Sequence, residues 1–176
     1  LNNLNLAHNL AKKKIVKGII NCPINKKIIK KTNKIGVTEY LAYKCKIIKD
    51  SEVMMISNKQ LSVVPLTTHI NVKNISKNIK ISLIIKKVLT LDNDFKKLFK
   101  KKPKIGVLGL NPHNSELAKN SEEIKKIIPA ISILKKKGIK IKGPLVADTV
   151  FVENYKQYDV IVGMYHDQVL APFKTL

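Results

Sequence analysis

Three apolar runs, each leading to a histidine, constrain this chain more than any other feature. Residues 61–68 (LSVVPLTT) are followed by His69, residues 105–110 (IGVLGL) by Asn111-Pro112-His113, and residues 158–164 (YDVIVGM) by Tyr165-His166. Runs of this length, rich in valine and isoleucine, read as strands buried in a parallel sheet. The stretches between them carry apolar residues at helical intervals, and strands alternating with helices imply a three-layer α/β fold with a mostly parallel sheet. In such a sheet ligands are held beyond the carboxyl ends of the strands, so three of the four histidines are delivered to the functional edge. Three neutral imidazoles are a common way to hold a divalent transition metal with one position left open for substrate. On spacing alone the alternative stands beside it, namely polar loop residues or hydrogen-bonded core histidines.

The remaining elements follow in order. Leu4, Leu6 and Leu10 suit the end of an amphipathic helix, with His8 on its surface. Residues 18–22 (GIINC) read as a short buried strand stopped by Pro23, and residues 34–43 as a glycine turn into a helix with Thr38 as hydroxyl cap and Glu39 in the first turn. Residues 52–68 read as two strands in a hairpin-like pair joined by residues 57–60, and residues 75–99 as a helix with Ile81, Ile84, Ile85, Val88 and Leu89 on one face. Ser121-Glu122-Glu123 is a good helix start, with Gly138 as the terminal cap and Pro129 kinking the helix or starting a new turn. Ile139 and Ile141 make a short strand before Gly143-Pro144 and Ala147-Asp148-Thr149.

A chain of 176 residues beginning at Leu1, and ending just past a site-like loop, reads as a segment of a longer two-domain subunit. No run reaches membrane-span length and no signal-peptide pattern opens the chain, so the expectation is a soluble, cytoplasmic protein. Cys22 and Cys45 fit no disulfide framework or CxxC pattern. The net charge of +22 comes entirely from lysine, spread from end to end without arginine or an aromatic ladder. That pattern argues for compositional bias and against specific nucleic-acid recognition. There is no GxGxxG or Walker A run.

Leu110-Asn111-Pro112-His113 with Glu116 and Glu122-Glu123-Ile124, then Gly143-Pro144-Leu145 with Ala147-Asp148-Thr149, and then Met164-Tyr165-His166-Asp167-Gln168, resemble the 4-hydroxythreonine-4-phosphate dehydrogenases of pyridoxal phosphate biosynthesis. Pro23-Ile24-Asn25-Lys26, Thr38-Glu39-Tyr40-Leu41-Ala42 and Thr67-Thr68-His69 agree with it, so the match runs in order over nearly the whole chain. The resemblance implies an isopropylmalate-dehydrogenase-like fold, a homodimer, and NAD or NADP bound without a classical Rossmann motif. It also implies a divalent metal (zinc, magnesium or cobalt) on His69, His113 and His166, catalytic acids at Asp148 and Asp167, and substrate contacts at Thr38 and Lys174. The implied reaction oxidises 4-phosphooxy-L-threonine and decarboxylates it to 3-amino-2-oxopropyl phosphate. Three departures bear on the transfer. Valine stands at position 37 where the family has a substrate-binding histidine, residues 114–121 (NSELAKNS) lack the family's glycines, and Val169 replaces a usual glycine. The competing readings are an inactive truncated or decayed relative, and a related dehydrogenase of threonate or erythronate 4-phosphate.

Overall fold

The computed structural model describes residues 1–30, 36–47 and 51–176, and the chain divides into two compact units, residues 1–48 and 49–176. The first unit contains helices α1 (Asn2–Lys12), α2 (Lys26–Lys30) and α3 (Val37–Lys44). Leu4 and His8, one turn apart on α1, are both buried, so His8 is not the surface residue expected. Its Nε2 lies 3.4 Å from Cys45 Sγ, and the Tyr40 hydroxyl donates to Asn5 Oδ1 at 2.6 Å. Both cysteines are free and exposed. Residues 18–22 form no strand; Ile20 is fully exposed. An isolated extended run has no ladder to satisfy its backbone, and apolar composition alone cannot supply one. Helix α3 is capped by Gly36 without a side-chain bond, which places Thr38 inside the first turn and not at the cap. Residues 34 and 35 of that stretch lie outside the described residues.

The second unit is built on a five-stranded sheet of β1 (Ile56–Ser57), β2 (Ser62–Thr67), β3 (Ile105–Leu108), β4 (Ile141–Leu145) and β5 (Val160–Tyr165), in the order β1-β2-β5-β3-β4. β1 pairs antiparallel with β2 as the expected hairpin, with Asn58 Oδ1 accepting from the Gln60 and Leu61 amides in the turn. The other pairings are parallel. β1 reaches only Ser62 and Val63, so among the described residues Pro65 stands where β2 has no outer strand neighbour and its missing N–H costs no ladder bond.

Both faces of the sheet are covered. Val64, Leu66, Val107, Val160, Val162 and Met164 pack with α4 (Ile75–Asn78), α5 (Ile81–Phe99) and α6 (Ile128–Lys136). Val63, Leu108 and Ile161, on the other face, pack with Val169 and Leu170 of α8 (His166–Thr175) and with Phe151, Tyr155 and Tyr158. Period-two alternation with two apolar faces is what a doubly covered parallel sheet requires. The expected helix over 75–99 is broken at Ile79-Lys80 into α4 and α5. Pro129 sits in the first turn of α6, preceded by a π-helical turn at Glu123–Ile127, and the helix ends at Gly138 (φ 77°). The short helix α7 (Ala147–Thr149) follows β4.

Candidate active site at the carboxyl edge of the sheet

β2, β5 and β3 are adjacent in the sheet, although they are far apart in the chain. Neighbouring strands lie about 4.8 Å apart, so their carboxyl ends open side by side. His69 stands two residues past β2, and His166 begins α8 directly after β5. Their ring centroids are 6.2 Å apart with planes tilted by 40°. His166 Nδ1 lies 2.7 Å from Asp167 Oδ1. A carboxylate accepts and does not donate, so this contact places the ring proton on Nδ1 and leaves the Nε2 lone pair for a ligand.

His113 is delivered differently. It lies five residues past β3, exposed, in a 3-10 turn over Pro112–Leu117 where residues 113–117 all have φ between 47° and 57°. None of the five is glycine, and L residues in left-handed backbone cost roughly 1–2 kcal/mol each. Neighbouring contacts hold the turn in place. Asn114 is buried and donates to the Pro144 carbonyl at 3.3 Å, the Gly109 amide donates to the Leu145 carbonyl at 2.9 Å, and α7 packs against the turn.

The strongest anchor is Glu123, which is fully buried. Its Oε1 accepts from the amides of Leu110 (2.8 Å) and Asn111 (2.9 Å), and its Oε2 accepts from Asn111 Nδ2 (3.0 Å). Beside it Glu122 accepts from Asn111 Nδ2 at 3.0 Å and from the Ser76 hydroxyl. Burial pushes the Glu123 carboxyl up, but the hydrogen bonds from Asn111 and Leu110 outweigh it and hold it below the ordinary 4.5. Glu122 is held below the same value by the bonds from Ser76 and Asn111. With folded values below the unfolded one, both carboxylates stabilise the fold above the ordinary glutamate range, and that contribution is lost as the pH falls through the depressed folded values. Urea unfolding at stepped pH is expected to show stability declining on acidification below 4.5, less steeply in Glu123→Gln. An identical pH slope in the variant would refute the assignment.

In the sequence Glu122-Glu123 reads as a pair of helix-start charges, whereas in the structure the two carboxylates hold the loop before His113. The signal was present, since Glu123 lies on the same stripe as the buried Ile127, Ile131 and Leu134, one turn ahead.

Of the other expected site residues, Asp148 lies on α7 and is exposed, and Asp167 is exposed beside His166. Lys174 is exposed in the last turn of α8, roughly 12 Å along the helix from His166. Thr38 belongs to the first unit and is exposed. Among the described residues no group of three or more His, Cys, Asp or Glu side chains is gathered to hold a metal ion. Among the described residues the structure brings His69 and His166 together, while His113, on its left-handed turn, does not join them in a three-ligand group. Two imidazoles on one zinc, at about 2.1 Å per Zn–N bond, put their ring centres roughly 5–6 Å apart. At 6.2 Å the pair stands slightly wider than that, so the two imidazoles match a transition metal in donor chemistry and would close by a few tenths of an ångström to share one.

A doubly covered α/β sheet with polar groups and imidazoles at the carboxyl ends of three adjacent strands defines a domain of the class that binds small molecules at that edge. The family model for pyridoxal phosphate biosynthetic protein PdxA matches residues 1–176, and the chain belongs to that family. It is 48% identical over 164 residues to 4-hydroxythreonine-4-phosphate dehydrogenase of Aquifex aeolicus (strain VF5), covering 92% of this chain and 50% of that protein. A relative from Oceanobacillus iheyensis, provisionally named D-threonate 4-phosphate dehydrogenase, is 38% identical over 178 residues, covering 98% of this chain and 53% of its own. The crystal structure of 4-hydroxythreonine-4-phosphate dehydrogenase from Klebsiella pneumoniae superposes with a TM-score of 0.88 at 30% identity, over 98% of this chain and 53% of that one. The chain spans about half the length of the curated relatives it matches. No helix among the described residues is long and apolar enough to cross a membrane.

Proposed function

We propose that the protein carrying this chain is a metal-dependent dehydrogenase of pyridoxine 5'-phosphate synthesis. It oxidises 4-phosphooxy-L-threonine with NAD or NADP and releases 3-amino-2-oxopropyl phosphate after decarboxylation. The observation that carries this reading is the adjacency of β2, β5 and β3, which brings His69 and His166 to a ring separation of 6.2 Å at the carboxyl edge. His69 and His166 would hold the divalent ion, with His113 as the third donor named by the family resemblance. When bound, the ion supplies Lewis acidity that lowers the pKa of the substrate hydroxyl and stabilises the enolate left by decarboxylation. Asp167 orients the His166 ring through Nδ1. Asp148 and Asp167 are the carboxylates available for proton transfer, Lys174 meets the phosphate as a point charge, and Thr38 offers a hydroxyl to the substrate. The reading includes a homodimer acting in the cytoplasm.

A second reading is favoured by one residue. The valine side chain at position 37 offers no hydrogen bond where the family has histidine, so the substrate contact at this point differs from the family's, and threonate or erythronate 4-phosphate is the competing substrate. The relative provisionally named for D-threonate 4-phosphate points the same way.

Zinc titration with elemental analysis, alongside assays of cofactor reduction on 4-phosphooxy-L-threonine and threonate 4-phosphate, tests both. The expected result is one ion per chain, lost in His166→Ala, and reduction with the amino substrate. A folded sample without stoichiometric metal overturns the metal centre, and turnover of threonate 4-phosphate alone replaces the first substrate with the second.

A further inference from the structure

We propose that Gln168 is a positioning residue for the histidine-bearing edge, tying the tip of β5 to the tip of β3 through the two ends of one side-chain amide. The proposal rests on the reading of His69, His113 and His166 as site residues. Parallel pairing of β3 with β5 runs through Ile105↔Val160, Gly106↔Ile161 and Val107↔Val162 and goes no further, whereas β2 stays paired with β5 up to Thr67↔Tyr165. Beyond Val107 the β3 tip stays with β4 instead, since the Gly109 amide donates to Leu145. The sheet therefore forks between β3 and β5 just before the two histidines leave it. Backbone groups at a fork lose their ladder partners and must find others.

Gln168 supplies both. The Met164 amide of β5 donates to Gln168 Oε1 at 2.6 Å, and Gln168 Nε2 donates to the carbonyl of Gly109, the residue just past β3, at 2.8 Å. An N–H needs an acceptor and a carbonyl needs a donor, so the amide has one orientation that satisfies both. On the other side the Thr67 hydroxyl donates to the Met164 carbonyl at 2.7 Å, within the buried sheet. Thr67, Met164, Gln168 and Gly109 thus form a continuous belt across the ends of β2, β5 and β3, the three strands that lead to His69, His166 and His113. Gly163 makes the approach possible, because a Cβ there would lie 2.4 Å from Val169 Cγ1 and 3.0 Å from Gln168 Oε1. Leucine at 168 has similar bulk but neither bond. Glutamate keeps an oxygen for the Met164 amide and turns a second oxygen toward the Gly109 carbonyl, which breaks only the β3 arm.

The experiment compares intact protein with Gln168→Leu and Gln168→Glu by histidine ring NMR, amide hydrogen exchange and zinc titration. Exchange at Met164 is expected to accelerate up to about tenfold in Gln168→Leu, the value of one net hydrogen bond, and to stay near the parent in Gln168→Glu. The His113 ring signals shift in both variants, whereas those of His166 shift only in Gln168→Leu. Zinc affinity falls by about 10–100-fold in both, as for loss of a group that orients metal ligands. If the parent binds no zinc, the metal reading fails alone and the ring signals still decide this one. His113 and His166 signals unmoved in Gln168→Leu overturn the proposal, as does unchanged zinc affinity in a parent that binds zinc.

Discussion

Glu123→Ala is expected to destabilise the protein by about 3–5 kcal/mol, the combined cost of leaving the hydrogen-bond donors it accepts from unpaired. The carboxylate is fully buried, and its removal strands the amides of Leu110 and Asn111 together with one bond of Asn111 Nδ2. Each buried donor left without an acceptor costs about 1–3 kcal/mol, and alanine offers none. The loss is read as a lower urea midpoint with unchanged slope, or as a melting temperature lower by roughly 6–20 °C for a chain of this size. A loss under about 1 kcal/mol would mean that water reaches those amides, and that the carboxylate is not what holds the turn carrying His113.

Gly143→Ala is expected to cost about 3–4 kcal/mol, from overpacking and backbone strain together. A Cβ at position 143 would lie 2.4 Å from the Val107 carbonyl oxygen and 3.1 Å from Ile131 Cδ1, at a φ of 153° that disfavours side chains. The oxygen belongs to the backbone of β3 inside the sheet, so it cannot swing aside as a side-chain tip would. Relief requires β4 to move away from β3, which also loosens the Asn114 contact to the Pro144 carbonyl. Equilibrium unfolding checks the value, and a variant as stable as the parent would show that the β3–β4 spacing is not fixed at this point.

The element types were largely legible because they follow local periodicity. β2, β3 and β5 are apolar runs in the sequence and buried strands in the structure, and α6 ends at its glycine. The failures share a cause. Residues 18–22 have strand composition but no ladder, and His8 is buried because it falls one turn from Leu4. Thr38 lies inside its helix because the chain turns at Gly36, two residues earlier. Glu123 reads as a helix-start acid and Gln168 only as the last residue of the Met164–Gln168 block, yet each reaches backbone that is distant in sequence, Leu110 and Asn111 in one case and Gly109 in the other.

The sequence by itself determined that this chain forms an α/β layer structure, that three strands each lead to a histidine, and which family it belongs to. Those properties are written in side-chain periodicity, residue type and motif order, which are local. Only the tertiary structure decided that β5 inserts between β2 and β3, that His69 meets His166 while His113 rides on a left-handed turn, and that Glu123 and Gln168 hold the strand tips. Strand order and buried polar pairing depend on which crossovers pack and which backbone groups lose their partners at the sheet edge. Neither quantity is a property of any one stretch of sequence.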